Sequence, residues 1–561
     1  MYSGKAGVYL NPADVLFYER IESHALSRKV AMVESEHNET LEDTERLHGK
    51  NALVNNVKAA SALAGAVRST LGPKGLNKML VGEDGDTIVT NDGVTVLENA
   101  KVEHPTAKML IQASTSQDRA ARDGTTTTIV LVSEMLQNAL ELVAMGIHPS
   151  VIVSGYGIAL EEAIEEANRI ARKPGKSGLA MAIHTALEGK ADSRTCSFFA
   201  KLAMEAAEFL GDENGGDDLE RMRVKRLQIN EGEILDSELV HGLMLPKSRV
   251  DIQMSESIGG GLIAILDGGL EQKALEMNAT IEIDSPGVLN EFHERKLENI
   301  RGQIEHLSNL DVDLLIVRDG VADEAINTLT KHGITAYRRF ERPDLELLSR
   351  VTGAKLSRDA MEICVEDLGS FSNHYEENIG DVRHTIIEGP EGAGMTLVVR
   401  GSSTAIREEG VRIFDDGLGV AHRLISKPNV LPGGGAAHAH LSRHLRSFAL
   451  SRSGREQLAI EAFAGALEAI PRILAENSGR DPVDTLLSLT AEQNDAGPWI
   501  GFDLRSCKSA DMWDAGILDS LFVVTHSLCS ATEAAISVLR IDDILWAKTE
   551  IGTPEWNTEE G

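Results

Sequence analysis

The chain is 561 residues long and carries 55 Lys and Arg against 87 Asp and Glu, a formal charge of −32. That surplus of carboxylates argues against nucleic acid or an anionic membrane as the main partner, because both select basic surfaces. The length predicts about three domains at ~150 residues each, and 42% hydrophobic residues with only 4% aromatics predict a helix-rich, aliphatic core. Four cysteines, Cys196, Cys364, Cys507 and Cys529, lie far apart without metal-ligand spacing, which predicts reduced thiols in the cytoplasm. No signal-peptide pattern occupies Met1–Arg20, and no uninterrupted apolar run of bilayer length is found.

In chain order, residues 1–45 are polar and end acidic (Glu34, Glu36, Glu39, Glu42, Asp43), as in a mobile extension or an edge element. From Asn51 the positions Leu53, Val57, Ala60, Leu63, Ala64 and Val67 recur at helical spacing. Glycine and proline in Thr70-Leu71-Gly72-Pro73-Lys74-Gly75 stop that helix. A short strand, Thr87–Thr90, leads to a turn at Asn91-Asp92-Gly93 and another apolar-alternating piece to Leu97. Helices are predicted at about 105–120, 124–145 and 150–172. The middle changes character. Leu262–Leu266, Leu314–Val317 and Thr335–Arg339 read as strands, with helices at about 286–309 and 321–332 between them. Gly259-Gly260-Gly261 lacks the spacing of a dinucleotide fingerprint and reads as a loop. Thr396–Arg400 is a further buried strand, and helices follow from about 403 to the end, interrupted at Leu431-Pro432-Gly433-Gly434-Gly435. The order helical, mixed, helical predicts one domain assembled from both ends of the chain.

The stretch that organises this pattern is Arg122-Asp123-Gly124-Thr125-Thr126-Thr127-Thr128, running into an apolar helix from Ile129 to Val143. A helix N-terminus leaves backbone N–H groups unpaired and carries partial positive charge, so it attracts anions. Gly124 removes the Cβ that would hold a phosphate off the backbone, and the threonines add hydroxyl donors. Asp123 offers hard oxygens to a Mg²⁺. The alternative is an Asp-Gly helix start without a ligand.

Five motifs, Thr70-Leu71-Gly72-Pro73-Lys74-Gly75, Thr90-Asn91-Asp92-Gly93, Asp123-Gly124-Thr125-Thr126, Pro432-Gly433-Gly434-Gly435 and Ser530-Ala531-Thr532-Glu533-Ala534-Ala535 through Leu539-Arg540-Ile541-Asp542-Asp543, occur in the order seen in chaperonins. Each is weak alone; five in order are specific. From about Lys50 to Lys548 the chain resembles a group II chaperonin subunit, similar to an archaeal thermosome. The resemblance implies a mainly α, three-domain subunit: a helical equatorial domain, a hinge-like intermediate domain, and an α/β apical domain with a helical protrusion. The boundaries it implies are 1–45 for an N-terminal extension, 46–173 and 428–561 for the equatorial domain, 174–231 and 396–427 for the intermediate domain, and 232–395 for the apical domain. A lid protrusion falls at about 279–300, where Asp284-Ser285-Pro286 precedes Val288, Leu289, Phe292, Leu297 and Ile300; an ordinary surface helix is the alternative. The implied assembly is a homo- or hetero-oligomeric double ring of eight or nine subunits per ring, enclosing unfolded polypeptides at the expense of ATP with Mg²⁺. It is cytoplasmic, with no nucleic acid and no membrane.

Matched residue by residue, the resemblance makes Asp92 the group that positions and helps activate the attacking water. Asp123 is the Mg²⁺ ligand, and Gly124, Thr125, Thr126 and Thr127 hold the β- and γ-phosphates. Leu71, Gly72 and Pro73 bind from the opposite side, the first two through backbone N–H groups. Asp416, in Arg412-Ile413-Phe414-Asp415-Asp416-Gly417-Leu418, is the second catalytic carboxylate, with Asp415 its replacement if the register is one residue out. Gly433-Gly434-Gly435 passes close to adenosine, where a side chain would collide with the ligand, and Gly434 is the contact. Asp519 is the candidate for the ribose hydroxyls. Without the family, Asn91-Asp92-Gly93 reads as a turn chosen for positive φ, and Asp415-Asp416 as a solvated acidic pair.

Three departures stand out. The family has glycine where this chain has Arg122, so a guanidinium lies beside the phosphate loop, adding a phosphate contact or straining a position suited to glycine. Pro432 stiffens the approach to the glycine run. Glu555–Gly561 lacks the family's Gly-Met-rich tail. Two other functional classes compete with an ATP-hydrolysing folding machine. One is a chaperonin-like assembly protein that turns nucleotide over slowly or not at all. The other is a metabolic enzyme built on 262–340, where no nucleophile–base pair or metal cluster is found.

Overall fold

Residues 44–82, 87–100, 102–211, 224–271, 286–390 and 393–547 are described by the structure, a computed structural model. Most of the predicted N-terminal extension, the start of the predicted lid and the C-terminal Glu555–Gly561 lie outside the described residues.

Helix α1 (Lys50–Val67) leads, through a strand pair Lys78–Val81 and Thr87–Thr90, to α2 (Gly93–Glu98), α3 (Pro105–Ala121), α4 (Thr125–Ala144) and α5 (Pro149–Ile170). The alternating piece after Gly93 is therefore helical, not extended. Asp92 has φ −67°, and its Oδ2 accepts from the Thr95 backbone N–H at 2.9 Å and the Thr95 hydroxyl at 2.7 Å. That N-cap converts a short run with no strand partner into a helical turn. The positive-φ turn at Asn91-Asp92-Gly93 is absent.

Helices α6 (Lys176–Leu187) and α7 (Ser193–Leu210) follow, then strands and helices in alternation, including α8 (Pro286–Asn309), α9 (Asp323–His332) and α10 (Arg342–Thr352). In the α/β part, Thr335–Tyr337, Val312–Val317, Gly261–Leu266 and Leu356–Ser357 are ordered as parallel neighbours, with Gly369–Phe371 antiparallel to Gly261–Leu266. The third strand stops at Tyr337, because Arg339 turns to φ +61°. The second half of α8 is packed inward: Ile300 is buried, as are Ile304 and Leu307.

The chain then runs through α11 (Thr404–Ser426), α12 (Ala436–Ala449), α13 (Glu456–Leu467), α14 (Ala469–Asn477), α15 (Pro482–Ala496), α16 (Met512–Ala515) and α17 (Leu521–Leu539). This return is less purely helical than expected. Ile500–Asp503 pairs with Lys508–Asp511, Val430–Pro432 with Leu518–Ser520, and Thr44–His48 with Asp543–Ala547, all antiparallel.

The largest core draws on α1 to α5 and on α12 to α14 and α17, so both ends of the chain bury one another. A second core joins α6, α7 and α11 to the strand Met395–Arg400. Two more lie in the α/β part. Helices α4 and α17 are long and apolar enough, by length and composition, to cross a bilayer, although polar residues such as Glu134 and Glu141 in α4 and Glu533 in α17 interrupt both. They pack against each other within the largest core, which accounts for their composition. Among the described residues all four cysteines are unpaired.

Helices α5 and α13 meet at Gly155, where an added Cβ would lie 2.4 Å from the Ala459 Cβ and 3.1 Å from the Glu456 carbonyl oxygen. Alanine gains about 1 kcal/mol of helix propensity over glycine, against an overpacking cost of about 1–3 kcal/mol. Gly155→Ala is therefore expected to destabilise, whereas Gly157→Ala, with nothing within 4 Å of its added Cβ, should stabilise by a few tenths to ~1 kcal/mol. Denaturant unfolding of both variants checks the pair.

Candidate functional site

Helix α4 begins at a kink that its sequence imposes. Arg122 (φ +53°) ends α3 in the left-handed region and Gly124 (φ +79°) opens α4 in the same region. With glycine as N-cap, no side chain caps the first turn, so its N–H groups remain available to an anion. Asp123 is held beside them: its Oδ1 accepts the Gly124 N–H at 2.7 Å, and its carbonyl accepts from Gln117 Nε2 at 2.8 Å. The turn faces a cleft of about 200 Å³, more than ten times the ~10–15 Å³ that one water needs.

Asp92, fixed by its capping of α2, reaches the same cleft. Gly93 is required there, since a Cβ would sit 2.5 Å from the Thr126 hydroxyl. The Asn91 amide donates to the Gly189 carbonyl. A Cβ at Gly189 would lie 2.8 Å from the Gly72 carbonyl oxygen, so the α6–α7 connection closes onto Gly72-Pro73. The Leu71 N–H is turned back onto the Arg68 carbonyl, at 3.4 Å, rather than offered to the cleft.

Next to Gly189 stands Lys190, whose ammonium is paired with the Asp416 carboxylate. Burial opposes its charge, but the carboxylates of Asp416, Asp92 and Asp123 outweigh burial and raise the ammonium above its ordinary range. Burial pushes Asp123 above the usual carboxylate range, with Lys190 and the Gly124 N–H pulling back. Asp416 is likewise raised by burial against the pull of Lys190. Asp415 points elsewhere, to Arg226 Nη2 at 2.7 Å and Nε at 2.9 Å.

Across the cleft, Gly433-Gly434-Gly435 joins the strand Val430–Pro432 to α12. A Cβ at Gly434 (φ +59°) would meet the Phe502 carbonyl oxygen at 2.6 Å, and one at Gly435 (φ +74°) the Pro471 backbone at 2.9 Å. Neighbouring protein atoms therefore already exclude a Cβ at both positions, and both glycines line the cleft. Asp519, opposite Leu431 in the paired strand, is pushed up to about 7 by burial and then by the charge of Asp123.

Leu71, Gly72, Pro73, Asp92, Asp123, Gly124, Thr125, Thr126, Thr127, Gly434 and Asp519 all line this one cleft. Asp416 does not line it, and reaches it through Lys190. Sequence reading missed Lys190, Gly189, Asn91 and His438, which also border or brace the cleft. Lys190 is one basic residue in a short connection and has no local signature. His438 stood three residues beyond the glycine run, on the helix it introduces.

The TCP-1/cpn60 chaperonin family model matches residues 63–549. The chain is 38% identical over 510 residues to thermosome subunit alpha of Thermoplasma acidophilum, covering 90% of this chain and 94% of that protein. It is also 38% identical over 514 residues to a thermosome subunit of Methanocaldococcus jannaschii, with the same coverage, and to thermosome subunit beta of Archaeoglobus fulgidus at 38% over 514 residues, again 90% and 94%. The chain belongs to the TCP-1/cpn60 chaperonin family. Within it the chain is a group II chaperonin, an ATP-dependent and ATP-hydrolysing chaperone.

Arg122 tests the sequence anomaly directly. Its left-handed backbone costs a non-glycine residue about 1–2 kcal/mol, offset by an ion pair to Asp118 at 3.2 Å worth ~0.2–1 kcal/mol and by glycine's greater chain entropy. Arg122→Gly is expected to leave stability within about 1 kcal/mol while weakening ATP binding several-fold through loss of a cation at the cleft. Thermal unfolding and equilibrium binding on one preparation check both.

Proposed function

We propose that this chain is a cytoplasmic subunit of a homo- or hetero-oligomeric double ring, with eight or nine subunits per ring, that encloses unfolded polypeptide and hydrolyses ATP in the cleft at α4. The observation that carries this reading is a meeting of two cores. Helix α4, whose N-terminus is uncapped, packs in the largest core, and α11, which carries Asp416, packs in the second, with Lys190 paired to Asp416. An equatorial domain of 46–173 and 428–561, an intermediate domain of 174–231 and 396–427, and an apical domain of 232–395 follow the same division. The lid at about 279–300 would rise from the start of α8, whose last turns anchor in the apical core.

The phosphates of ATP are held by the N–H groups of Thr125 to Thr127 at the positive end of α4. Asp123 supplies carboxylate oxygens, the donors that Mg²⁺ prefers, at the edge of the cleft, which fits that ion. Bound there, Mg²⁺ would neutralise charge on the phosphate oxygens. Asp92, its rotamer fixed by Thr95, orients the water that attacks the γ-phosphorus as the bond to the β-bridging oxygen breaks. Asp416 is the second carboxylate. It arrives with the intermediate domain, so hydrolysis waits on closure.

Asp416→Ala should keep ATP affinity within a few-fold, because Asp123 to Thr127 stay in place, while turnover falls by about 10²–10⁴. Asp123→Ala should weaken Mg-ATP binding itself. Equilibrium binding and single-turnover hydrolysis decide it: full hydrolysis by Asp416→Ala with loss in Asp415→Ala would move the role by one residue. Full hydrolysis by both would remove α11 from the chemistry.

Sizing of the purified protein at physiological salt should give a large ring particle. A monomer under every nucleotide condition would sink the assembly.

A further inference from the structure

His438 lies in the first turn of α12, after Gly435, and lines the cleft. The residue is only 4% exposed, and neither Nδ1 nor Nε2 has a hydrogen-bond partner. Among the described residues it alone leaves two buried side-chain polar atoms unpaired. Buried polar atoms are nearly always paired, since an unpaired one forfeits its hydration. The helix does not tolerate idle imidazoles in general: His440 meets Glu166 at 2.6 Å and Arg443 at 3.0 Å, and His444 meets Glu162 at 2.7 Å. Only the histidine that faces the cleft is left with both nitrogens free.

The surroundings define what would pair with it. Burial alone pushes His438 down to about 4, so at neutral pH the ring is uncharged and presents one N–H donor and one acceptor nitrogen. An uncharged ring does not suit a phosphate, which the cations and the helix terminus on the α4 side serve. A heterocyclic base carries donors and acceptors along its edge and complements the ring. The cleft that His438 lines has walls suited to such a base: Gly434, held against Phe502, and the apolar Ile470, Leu504 and Ile517, with Asp519 adjoining Gly433. We propose that His438 is a specificity-determining residue of the cleft, hydrogen-bonding the nitrogen-bearing edge of the nucleotide base. The inference rests on the reading of the cleft as a nucleotide site.

The test compares ATP with ribose 5-triphosphate, which lacks the base, by equilibrium binding to the full-length assembled protein. Wild type should bind ATP at least about tenfold more tightly, the size of one or two well-made hydrogen bonds. His438→Phe, which keeps the ring volume and removes both nitrogens, should lose about 5–10-fold for ATP and nothing for the base-free compound. His438→Gln, which keeps a donor and an acceptor, should recover part of the loss, a rescue that a purely structural role would not give. Equal weakening of both ligands by His438→Phe, or weakening of neither, overturns the proposal. If that variant fails to fold, a wild-type protein that binds both compounds equally overturns it alone. Failure of wild type to bind either triphosphate would instead remove the nucleotide reading beneath it.

Discussion

The architecture around the cleft depends on one constraint: the first turn of α4 must stay uncapped while the rest of the helix is locked in place. Gly124, in the left-handed region, has no side chain with which to cap. Immediately beyond, Ile129, Val130, Leu131, Val132, Met135 and Leu136 are each 2% exposed or less. A helix so packed cannot pivot, so its positive end points into the cleft before any ligand arrives. The macrodipole contributes only ~0.3–1 kcal/mol at a surface, up to ~2 when partly buried. Its value here lies in preorganisation, because the donors need no rearrangement at the moment of reaction.

That positive end would be inadequate without Lys190. Asp92, Asp123 and Asp519 all line the cleft, and a triphosphate adds further negative charge. Lys190 interacts with Asp92, Asp123 and Asp416 together, which offsets part of the repulsion. The arrangement has a mechanical consequence. The Lys190–Asp416 pair is half-buried, with side chains 18% and 16% exposed, and it fastens the α6–α7 connection to α11.

The parts of this site that the sequence made legible are those written in local pattern. Gly124 followed by four threonines and an aliphatic run marks an anion-facing helix start, and Leu314–Val317 announces a buried strand by its unbroken apolar character. Asp92 was legible as a projecting carboxylate; that it caps α2 was not, because three apolar residues after Gly93 alternate as well as they spiral. Tertiary packing hid the rest. Lys190 meets Asp416 across 226 positions of sequence, and nothing in Glu188-Gly189-Lys190-Ala191-Asp192 announces a partner. The run Gly433-Gly434-Gly435 marks a place where added side chains would collide, and the protein atoms met there belong to Phe502, Pro471 and Ile517. Sequence showed that space was scarce, and only the fold showed what filled it.

The two crossings between the largest core and the second core are fastened to each other. Arg172, just past α5, exchanges both backbone hydrogen bonds with Val430, just past α11, at 3.0 and 2.9 Å. Its guanidinium lies 4.1 Å from the Trp499 ring centroid and 5.6 Å from that of Trp513, and the Trp499 indole N–H donates to the Ile170 carbonyl at 3.3 Å. A cation held against two aromatic rings is stabilised at each contact by about 0.5–1 kcal/mol or more, so the paired crossing is stiff. Two strands of chain that separated freely would let the second core swivel about any axis. Joined as one ladder, with Lys173-Pro174-Gly175 following on one side and Lys427-Pro428-Asn429 preceding on the other, they pass between the cores as a single unit. A further tie lies nearer the cleft: Arg423, on α11 seven residues past Asp416, donates to the Ala120 carbonyl of α3 at 2.9 Å, so the helix that carries Asp416 is fastened to the largest core's side of the molecule by a side chain as well as by the ladder.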